Sequence, residues 1–252
     1  MRLEGRTVIV TGGARNIGAV LATCLAEEGA KLVVGDIRDT SDTVAKCKAG
    51  GGEAIGVTVD VTDKASVRGM VSAALEAFGQ VDVLVNNAGL YGDLEPQPLE
   101  ELSVELWERT MAINLRGPFL CAQAVVPSMR ERRGGSIINV SSGTVFNGFG
   151  TANYVASKAG VVGLTRVLAR EIGRFGGRAN AITPGFTMSQ ASKDLIERHS
   201  MHQFLEAMIA STPLGRAEEP RDLVGAVKFL ASEDSSFVTG QILNVDGGVH
   251  LH

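Results

Sequence analysis

The sequence is poor in aromatic residues and in cysteine, and each shortage narrows what the protein can be. Aromatic residues make up 5% of its 252 residues, and its three cysteines, Cys24, Cys47 and Cys121, are widely spaced. An odd number of cysteines without a C-x-x-C pair argues against a disulfide framework and against a metal site. We therefore expect three small thiols, buried or half-buried, in a reducing compartment.

The charge pattern and the hydrophobic pattern exclude two further classes of protein. The formal net charge is −4 and the sequence has no basic stripe, which argues against a nucleic-acid partner. A long uncharged stretch, residues 134–157, is interrupted by Asn, Ser and Gly and so does not predict a membrane span. The amino terminus leads directly into the first predicted strand and leaves no room for a signal peptide. These features predict a soluble, cytoplasmic protein.

The sequence does contain 31 glycines and a regular alternation of strand-like and helical segments. Short apolar runs predict strands, and the segments between them have helical periodicity and length. Strands separated by helices predict a parallel sheet with right-handed crossovers and with helices on both faces. We therefore predict a single α/β domain, residues 1–252, with a doubly wound sheet of about seven strands. The predicted strands are residues 7–11, 31–36, 53–59, 81–86, 136–142, 178–182 and 241–245.

In a sheet of this kind the ligand binds beyond the carboxyl ends of the strands, where the strand order reverses. Polar residues, glycine and proline follow or end several of the predicted strands. The sequence therefore predicts a ligand site at this edge of the sheet. The residues at the predicted strand ends are Gly12, Asp36, Asp60, Asn86, Ser142 and Pro184.

A glycine-rich turn, TGGARNIG at residues 11–18, follows the first strand. Glycine lets the backbone turn sharply and approach a pyrophosphate at the N-terminus of the next helix, although such a turn can also be purely steric. Asp36 ends the second strand, where a carboxylate can bind the adenosine ribose and repel a 2′-phosphate. Arg15 favours the opposite choice, because a guanidinium could hold that phosphate. We predict NAD as cofactor, with NADP as the less favoured alternative.

The next two strand ends offer further cofactor contacts. Asp60, followed by Val61, could bind the adenine amino group, or it could belong to the capping region of the next helix. In that second case Thr62 or Asp63 would be the cap. The segment Asn86-Asn87-Ala88-Gly89 ends the fourth strand. Its asparagines could bridge neighbouring backbones as well as contact a cofactor.

Tyr154 and Lys158 are four residues apart in a predicted helix and should lie on the same face. A lysine ammonium beside a phenol favours the phenolate, so we expect the pKa of Tyr154 to be lowered from about 10. Tyr154 is therefore a candidate general acid or base. The spacing alone is common on protein surfaces, and its meaning depends on the other motifs.

Six motifs, in order along the whole chain, resemble those of the short-chain dehydrogenase/reductase family. The resemblance implies a Rossmann-type fold and an enzyme that transfers a hydride between a nicotinamide cofactor and an alcohol or ketone. The motifs are the turn at 11–18, the segment 86–89, Asn114 within 111–115, the serines that end 137–142, the Tyr154–Lys158 pair, and Pro184-Gly185.

The resemblance also implies a role for each matching residue. Tyr154 would exchange a proton with the substrate oxygen, and Lys158 would hold the nicotinamide ribose and lower the pKa of the tyrosine. Asn114 would kink its helix and hold a water, and a serine would bind the substrate oxygen. The cofactor would be bound by Gly12, Arg15, Asn16, Ile17, Gly18, Asp36, Asp60, Val61, Asn87, Ala88, Gly89, Tyr154, Lys158, Pro184, Gly185, Thr187 and Ser189.

The chain departs from the family pattern at two places. Asn16 replaces a glycine of the turn, and because asparagine tolerates positive φ better than other residues, we expect the turn to be kept. The second departure concerns the catalytic serine. Counting back from Tyr154 selects Ser141, whereas counting from the strand selects Ser142. A loop absorbs a deletion more readily than a strand absorbs a register shift, so we predict Ser142.

Residues 187–213 are predicted to form a helical lid over the substrate. Apolar residues in this segment could line a pocket or could be the core of the lid itself. We predict a hydrophobic secondary alcohol or ketone as substrate. The alternative is a 3-oxoacyl chain on acyl carrier protein, reduced with NADPH, for which Arg132, Arg133 and Arg174 could meet the acidic carrier. Asp36 argues against that alternative.

Three further expectations concern metal, catalysis and assembly. His199 and His202 are three residues apart but lack a third ligand, so no metal is predicted. A non-catalytic nucleotide sensor on the same fold is disfavoured, because the set of Asn114, Ser142, Tyr154 and Lys158 is intact. By resemblance to the family, residues 239–248 and the helix around residues 222–231 would form one two-fold contact. The helices around Trp107 and Val161 would form another, and the two axes would give a homotetramer with D2 symmetry.

Overall fold

A seven-stranded parallel sheet forms the centre of the computed structural model, which describes residues 2–91 and 97–251. The strands lie in the order β3-β2-β1-β4-β5-β6-β7. The order reverses between the two central strands β1 and β4, which is where a doubly wound sheet opens a crevice for a ligand. The strands are β1 (Thr7–Thr11), β2 (Lys31–Asp36), β3 (Ala54–Thr58), β4 (Val83–Asn86), β5 (Ser136–Val140), β6 (Arg178–Pro184) and β7 (Ile242–Val245).

Each predicted strand is present, and the predicted ends differ from the observed ends by two residues or fewer. The predicted α/β fold with a doubly wound parallel sheet is therefore confirmed. The helices that cover the sheet and follow it are α1 (Asn16–Ala26), α2 (Ser41–Ala49), α3 (Lys64–Phe78), α4 (Val104–Met111), α5 (Gly117–Glu131), α6 (Thr144–Asn147), α7 (Ala152–Gly173), α8 (Gln190–His199), α9 (His202–Ser211) and α10 (Val224–Ala231).

The central strands are apolar along their whole length because both faces of the sheet are covered. In β1, Val8 and Val10 pack in the same core as Leu21 and Leu25 of α1. Ile9 points to the other face and packs in the core that includes residues of α3 and α5. This pattern explains why β1 is read from the sequence as a continuous apolar run without alternation.

The long helix predicted around residues 107–129 is divided in the structure. The helical segments α4 and α5 are joined by a π-helical turn, Ala112–Arg116, with Asn114 buried at its centre. A π turn inserts an extra residue into the helix and bends it. The structure thus has an irregular turn at Asn114, where the family resemblance implies a kink.

Buried amide side chains tie the central strands to one another and to α7. Asn86 of β4 donates from Nδ2 to Asn139 Oδ1 of β5 over 2.8 Å. Asn139 donates in turn to Thr165 Oγ1 of α7 over 2.9 Å. All three side chains are buried, so the hydrogen bonds between them are shielded from water. The chain of bonds fixes α7, and with it Tyr154, against the sheet.

Three smaller findings concern the cysteines, membrane-spanning helices and metal ligands. Cys24, Cys47 and Cys121 are buried free thiols, as predicted. Within the described ranges, no helix combines the length and the apolar character needed to cross a membrane. In the same ranges, no group of three or more His, Cys, Asp or Glu side chains is placed to hold a metal ion.

Replacing Asn139 by leucine should lower the free energy of unfolding by about 1–3 kcal/mol, because Asn86 and Thr165 each lose a buried partner. Urea denaturation followed by circular dichroism measures the change. Ser72→Ala, at an exposed position of α3, is the control and should change the free energy by less than about 0.5 kcal/mol. An Asn139→Leu variant as stable as the control would show that the amide chain contributes nothing.

Candidate active site

The glycine-rich turn after β1 packs closely against the end of β4. Gly12 has a φ of 66°, and a Cβ there would lie 2.8 Å from Ala88 Cα. A Cβ on Gly18 would lie 2.1 Å from the Gly12 carbonyl oxygen. Asn87 closes the turn by donating from Nδ2 to the carbonyls of Thr11 and Gly12 over 3.0 and 3.1 Å. The turn therefore has room only for glycine at both positions.

Asn16 begins α1 with a φ of 55°, one of three positive-φ residues other than glycine in the described chain. The expectation that asparagine keeps the turn is confirmed. Ile17 follows it in the first turn of α1. The backbone N–H groups at this helix start face the carboxyl edge of the sheet, which is the arrangement that binds a pyrophosphate. A tight glycine turn that leads into a helix N-terminus fits the pyrophosphate of a dinucleotide.

Asp36 lies at the end of β2 beside this turn, and 9% of it is exposed. Its carboxylate accepts hydrogen bonds from the Ala14 N–H and the Arg38 N–H, each over 3.0 Å. Arg15 is exposed on the adjacent turn. Arg38, also exposed, is a second cation in this region, and the sequence analysis did not include it.

The residues after β3 divide between solvent and core. Asp60 is exposed, and its Oδ1 accepts from the N–H and the hydroxyl of Thr62, each over 2.8 Å. The cap of α3 is Asp63, which accepts from the Ala65 and Ser66 N–H groups, so that of the two caps considered Asp63 is correct. Val61 is buried at 7% exposure, against Gly117.

Three residues from distant parts of the chain meet at the carboxyl end of β4. The Cβ position of Gly89 lies 3.5 Å from both Asn114 Oδ1 and Lys158 Nζ. Asn114 accepts from the Leu90 N–H over 2.7 Å and donates to the Leu90 carbonyl over 3.2 Å. The Lys158 ammonium donates to the Val140 carbonyl over 2.9 Å. The exposed Gly89 thus leaves an approach to a buried lysine.

The two serines after β5 point in different directions. Ser141 is buried and donates its hydroxyl to the Lys158 carbonyl over 2.8 Å. The Ser142 hydroxyl lies close enough to the Tyr154 phenol to lower its pKa, and it accepts a hydrogen bond from the Thr144 hydroxyl over 3.1 Å. The structure therefore brings Ser142, the serine selected by counting from the strand, together with Tyr154.

The pKa of Tyr154 departs from the expectation. Burial raises the pKa of Tyr154 to about 12, and the hydrogen bond with Ser142 lowers it only in part. Burial also lowers the pKa of Lys158 to about 8. The predicted lowering of the Tyr154 pKa by Lys158 is wrong for this structure. The ammonium is 5.7 Å from the centre of the phenol ring and is engaged with Val140, so loss of hydration dominates.

The end of β6 and the residues after it are held by a carboxylate that the sequence reasoning did not consider. Glu218 accepts from the Gly185 N–H over 2.7 Å and from the Thr187 hydroxyl over 3.1 Å. Burial raises the pKa of Glu218 to about 7, and these two hydrogen bonds lower it in part. The carbonyl of Pro184 accepts from the Gly143 N–H over 2.8 Å. Ser189 is the N-cap of α8, so its hydroxyl is already engaged within the chain.

The segment after β6 forms two helices, α8 and α9, as predicted for the lid. Phe204 of α9 stacks on Phe149, with ring centres 5.4 Å apart and planes 3° apart. Phe186 packs edge-on against the Phe204 ring, with ring centres 5.9 Å apart. Tyr91, from the β4 side, packs on Tyr154 at 5.3 Å. Aromatic rings therefore join the α8–α9 segment to the loop that follows Ser142.

The assembled site combines a neutral phenol, a serine hydroxyl and a buried lysine at the edge where the strand order reverses. A phenol with a raised pKa holds its proton at neutral pH and can donate it to an oxygen within hydrogen-bonding reach. Such a site can protonate a carbonyl oxygen as the carbon is reduced, and it can accept the proton again in the reverse direction.

The lowered pKa of Lys158 gives a pH dependence of stability with a defined sign. Between about pH 8 and pH 10.5 the folded state has released the lysine proton while the unfolded state still holds it. Stability rises with pH wherever the unfolded state binds more protons. From pH 7.5 to 9.5, the wild type should therefore gain about 2 kcal/mol of unfolding free energy relative to Lys158→Met. Urea denaturation of both proteins at both pH values measures this difference, and an unchanged difference would contradict the lowered pKa.

Comparisons with known proteins agree with this geometry. A family model described as enoyl-(acyl carrier protein) reductase matches residues 12–250. The chain is 40% identical to the BbsD subunit of (2S)-[(R)-hydroxy(phenyl)methyl]succinyl-CoA dehydrogenase from Thauera aromatica, covering 100% of this chain and 99% of that protein. It is 38% identical to the 3-oxoacyl-[acyl-carrier-protein] reductase of Thermotoga maritima, with 99% of each chain covered.

Solved structures give the same result. The crystal structure of levodione reductase matches with a TM-score of 0.93 and 34% identity over 98% of each chain. A putative short-chain alcohol dehydrogenase from Sinorhizobium meliloti 1021 matches with a TM-score of 0.91, also at 34% identity, over 98% of this chain and 97% of that one. The fold, the ordered motifs and these similarities lead to one conclusion. The chain belongs to the short-chain dehydrogenase/reductase family and is an oxidoreductase that acts on a CH–OH group or a ketone.

Proposed function

We propose that the protein is an NAD-dependent oxidoreductase that interconverts a hydrophobic secondary alcohol and its ketone. The observation that carries the proposal is the contact between the Ser142 hydroxyl and the Tyr154 phenol at the carboxyl edge of the sheet. Two hydroxyl groups that lie this close can both bind one substrate oxygen. Gly89 and Lys158 lie on the cofactor side of the same site.

In the reducing direction, Tyr154 gives its proton to the carbonyl oxygen, and Ser142 holds that oxygen in place. The nicotinamide, when bound, supplies the hydride to the carbonyl carbon, or takes it up in the reverse direction. The tyrosinate left behind must regain a proton. Lys158 is the titratable group next to it, and its lowered pKa of about 8 suits it to pass protons near neutral pH. Asn114 lies on the same side of the site as Lys158, and its amide fixes the backbone of Leu90 through two hydrogen bonds.

The aromatic rings around the site support an apolar substrate. Phe149, Phe186 and Phe204 form a cluster that joins the α8–α9 segment to the loop after Ser142, and Tyr91 lies beside the phenol of Tyr154. Such walls favour a carbonyl that carries an aryl or alicyclic group, because each buried apolar surface contributes to binding. The name of the relative from Thauera aromatica includes a hydroxy(phenyl)methyl group, which is a secondary alcohol on a carbon that bears an aromatic ring.

Tyr154→Phe should lower kcat by about 10²- to 10⁴-fold, because the variant has no proton to transfer. The dissociation constant for NADH should stay within about threefold of the wild type, since the ring and its packing remain. Tyr91→Phe is the matched control, because Tyr91 is the other of the two tyrosines in the chain and its ring packs on that of Tyr154. Tyr91→Phe should keep most of the wild-type activity with an aryl secondary alcohol. A Tyr154→Phe enzyme with wild-type kcat would refute the assignment.

The choice of NAD follows from Asp36. Its carboxylate is anchored to the glycine-rich turn by the Ala14 N–H, so the negative charge stays where the adenosine ribose would lie. A 2′-phosphate next to that charge would be repelled. Arg15 and Arg38 are exposed nearby and act in the opposite direction. The balance favours NAD because the carboxylate is fixed, whereas the two arginine side chains are exposed on the surface.

Fluorescence titration with NADH and NADPH in parallel tests this choice. The wild type should bind NADH at least tenfold more tightly, which corresponds to about 1.4 kcal/mol. Asp36→Ala should narrow or reverse that ratio, because the repulsion is removed. Asp60→Ala is the comparison, since Asp60 is proposed to contact the adenine and should weaken both cofactors alike. Tighter binding of NADPH by the wild type would show that Arg15 and Arg38 outweigh Asp36.

A second candidate is the reduction of a 3-oxoacyl group on acyl carrier protein with NADPH. It is favoured by relatives with that name at 38–39% identity. Arg132 and Arg133, which could meet the acidic carrier, come before β5, whereas Ser142 follows that strand. The strand separates them by roughly 15–20 Å within one subunit. Arg132 also has a partner in Asp82 at 3.6 Å. These positions favour the small-molecule substrate.

We also propose the homotetramer that the family resemblance implies. Large apolar side chains are exposed along the two regions expected to make two-fold contacts. On one side these include Phe237 and Leu243, near α10 and β7. On the other side they include Phe119 of α5 and Val167 of α7. Burial of these surfaces against copies of the chain would stabilise an assembly with two axes.

A further inference from the structure

His250 lies between the segment that follows β7 and the loop that follows β5. Its Nδ1 is 2.7 Å from Asp246 Oδ2, and its Nε2 is 2.8 Å from Asn147 Nδ2. The side chains of His250 and Asp246 are 14% and 3% exposed. The imidazole therefore joins the carboxyl end of β7 to the end of α6, over a separation of 103 residues in the chain.

The neighbouring hydrogen bonds fix which nitrogen of His250 carries the proton. Asn147 Oδ1 accepts from the Phe149 N–H over 2.8 Å, so the amide of Asn147 must turn its NH₂ group toward the ring. Nε2 must then be an acceptor, and the proton must lie on Nδ1, where it is donated to Asp246. A neutral imidazole in one tautomer satisfies both contacts, and an imidazolium does not.

The Asp246 side of this contact is rigid. Its Oδ1 accepts from the Gly248 N–H over 2.9 Å, and its Oδ2 accepts from the His250 N–H over 3.0 Å. Asn244 donates from Nδ2 to the His250 carbonyl over 3.0 Å. The turn that carries His250 is therefore bonded both to itself and to β7.

The other side of the ring reaches the residues next to Ser142. A Cβ on Gly143 would lie 3.1 Å from His250 Cε1, so the ring packs directly on that backbone. Phe146 packs on the imidazole with ring centres 5.7 Å apart. Thr144, between these contacts, donates to Ser142 Oγ from its N–H and its hydroxyl over 3.3 and 3.1 Å. His250 thus holds both ends of α6, the helix whose first residue orients the Ser142 hydroxyl.

We propose that His250 is a positioning residue: in its neutral form, and bound to Asp246, it holds α6 through Asn147 and so directs Ser142 toward Tyr154. The proposal rests on the proposed function, since it gives Ser142 a substrate oxygen to bind. Protonation of Nε2 would place two N–H donors opposite each other and release Asn147. Residues 143–149 contain no titratable side chain, so Asp246 is the charged group that contacts the His250 ring. The next acidic side chain is Glu218, which binds the Gly185 N–H.

Asn147→Asp gives the sharpest test, because it should reverse the pH dependence of the contact. A carboxylate at position 147 accepts but cannot donate, so it needs an imidazolium between two acids. In the wild type the contact needs a neutral imidazole, and in the variant it needs an imidazolium. The ratio of kcat for Asn147→Asp to kcat for the wild type should therefore fall as the pH is raised. A ratio that is flat or rises would overturn the proposal.

Two further variants separate the contacts of the ring. His250→Asn can keep the bond to Asp246 but is too short to reach Asn147, and it should lower kcat about 10- to 100-fold with an unchanged dissociation constant for NADH. His250→Gln can present an acceptor to Asn147 and should recover part of the loss. Val249→Ala, in the same segment, is the control and should stay within about twofold. Wild-type kcat in His250→Asn would overturn the proposal.

A measurement without turnover keeps this test apart from the test of the proposed function. In ¹⁵N-histidine-labelled wild type, the His250 signals should show a protonated Nδ1 and an unprotonated Nε2 at neutral pH, with the assignment made by comparison with His250→Asn. A protonated Nε2 would overturn the proposal even for an active enzyme. If no alcohol is turned over but the tautomer is as expected, the proposed function fails while the contact of His250 with Asn147 stands.

Discussion

The amide of Asn114 is the interaction on which the site depends. It pairs with both the N–H and the carbonyl of Leu90 and also donates to Ser157 Oγ over 3.1 Å. These bonds join the loop after β4, the π turn and α7 at one buried point. An unsatisfied amide there would cost about 1–3 kcal/mol, so the three elements are held in register. The close approach of Gly89 to Lys158 follows from that register.

The sequence predicts the fold well, because its signals are local. Continuous apolar strands reveal a sheet covered on both faces, and Asn16 and Asp63 behave as their side chains dictate in a turn and at a helix cap. The structure also places Ser142, and not Ser141, beside Tyr154, and a strand fixes which side chains point the same way. What a residue type prefers within a few neighbours is visible in the sequence.

The missed features are contacts between distant segments or effects of burial. Glu218 meets Gly185 from 33 residues away, and no local pattern marks either residue as a partner. The prediction of a lowered pKa for Tyr154 was wrong for a related reason. The spacing to Lys158 shows that the two side chains share a helix face, but it does not show that the ammonium turns to Val140 or that the phenol is buried. The direction of a pKa shift depends on hydration, which is a property of the folded chain.

Burial has opposite effects on the two ionisable groups at the centre of the site, and both effects favour the same proton distribution. The phenolate and the ammonium each lose hydration, so the pKa of Tyr154 rises and that of Lys158 falls. Both shifts favour the neutral forms, with the proton on the tyrosine oxygen. A site built in this way is prepared to give a proton to a ketone. To accept a proton from an alcohol, the site must first favour the phenolate of Tyr154. That requires a further positive charge near the phenol, which a bound oxidised nicotinamide would supply.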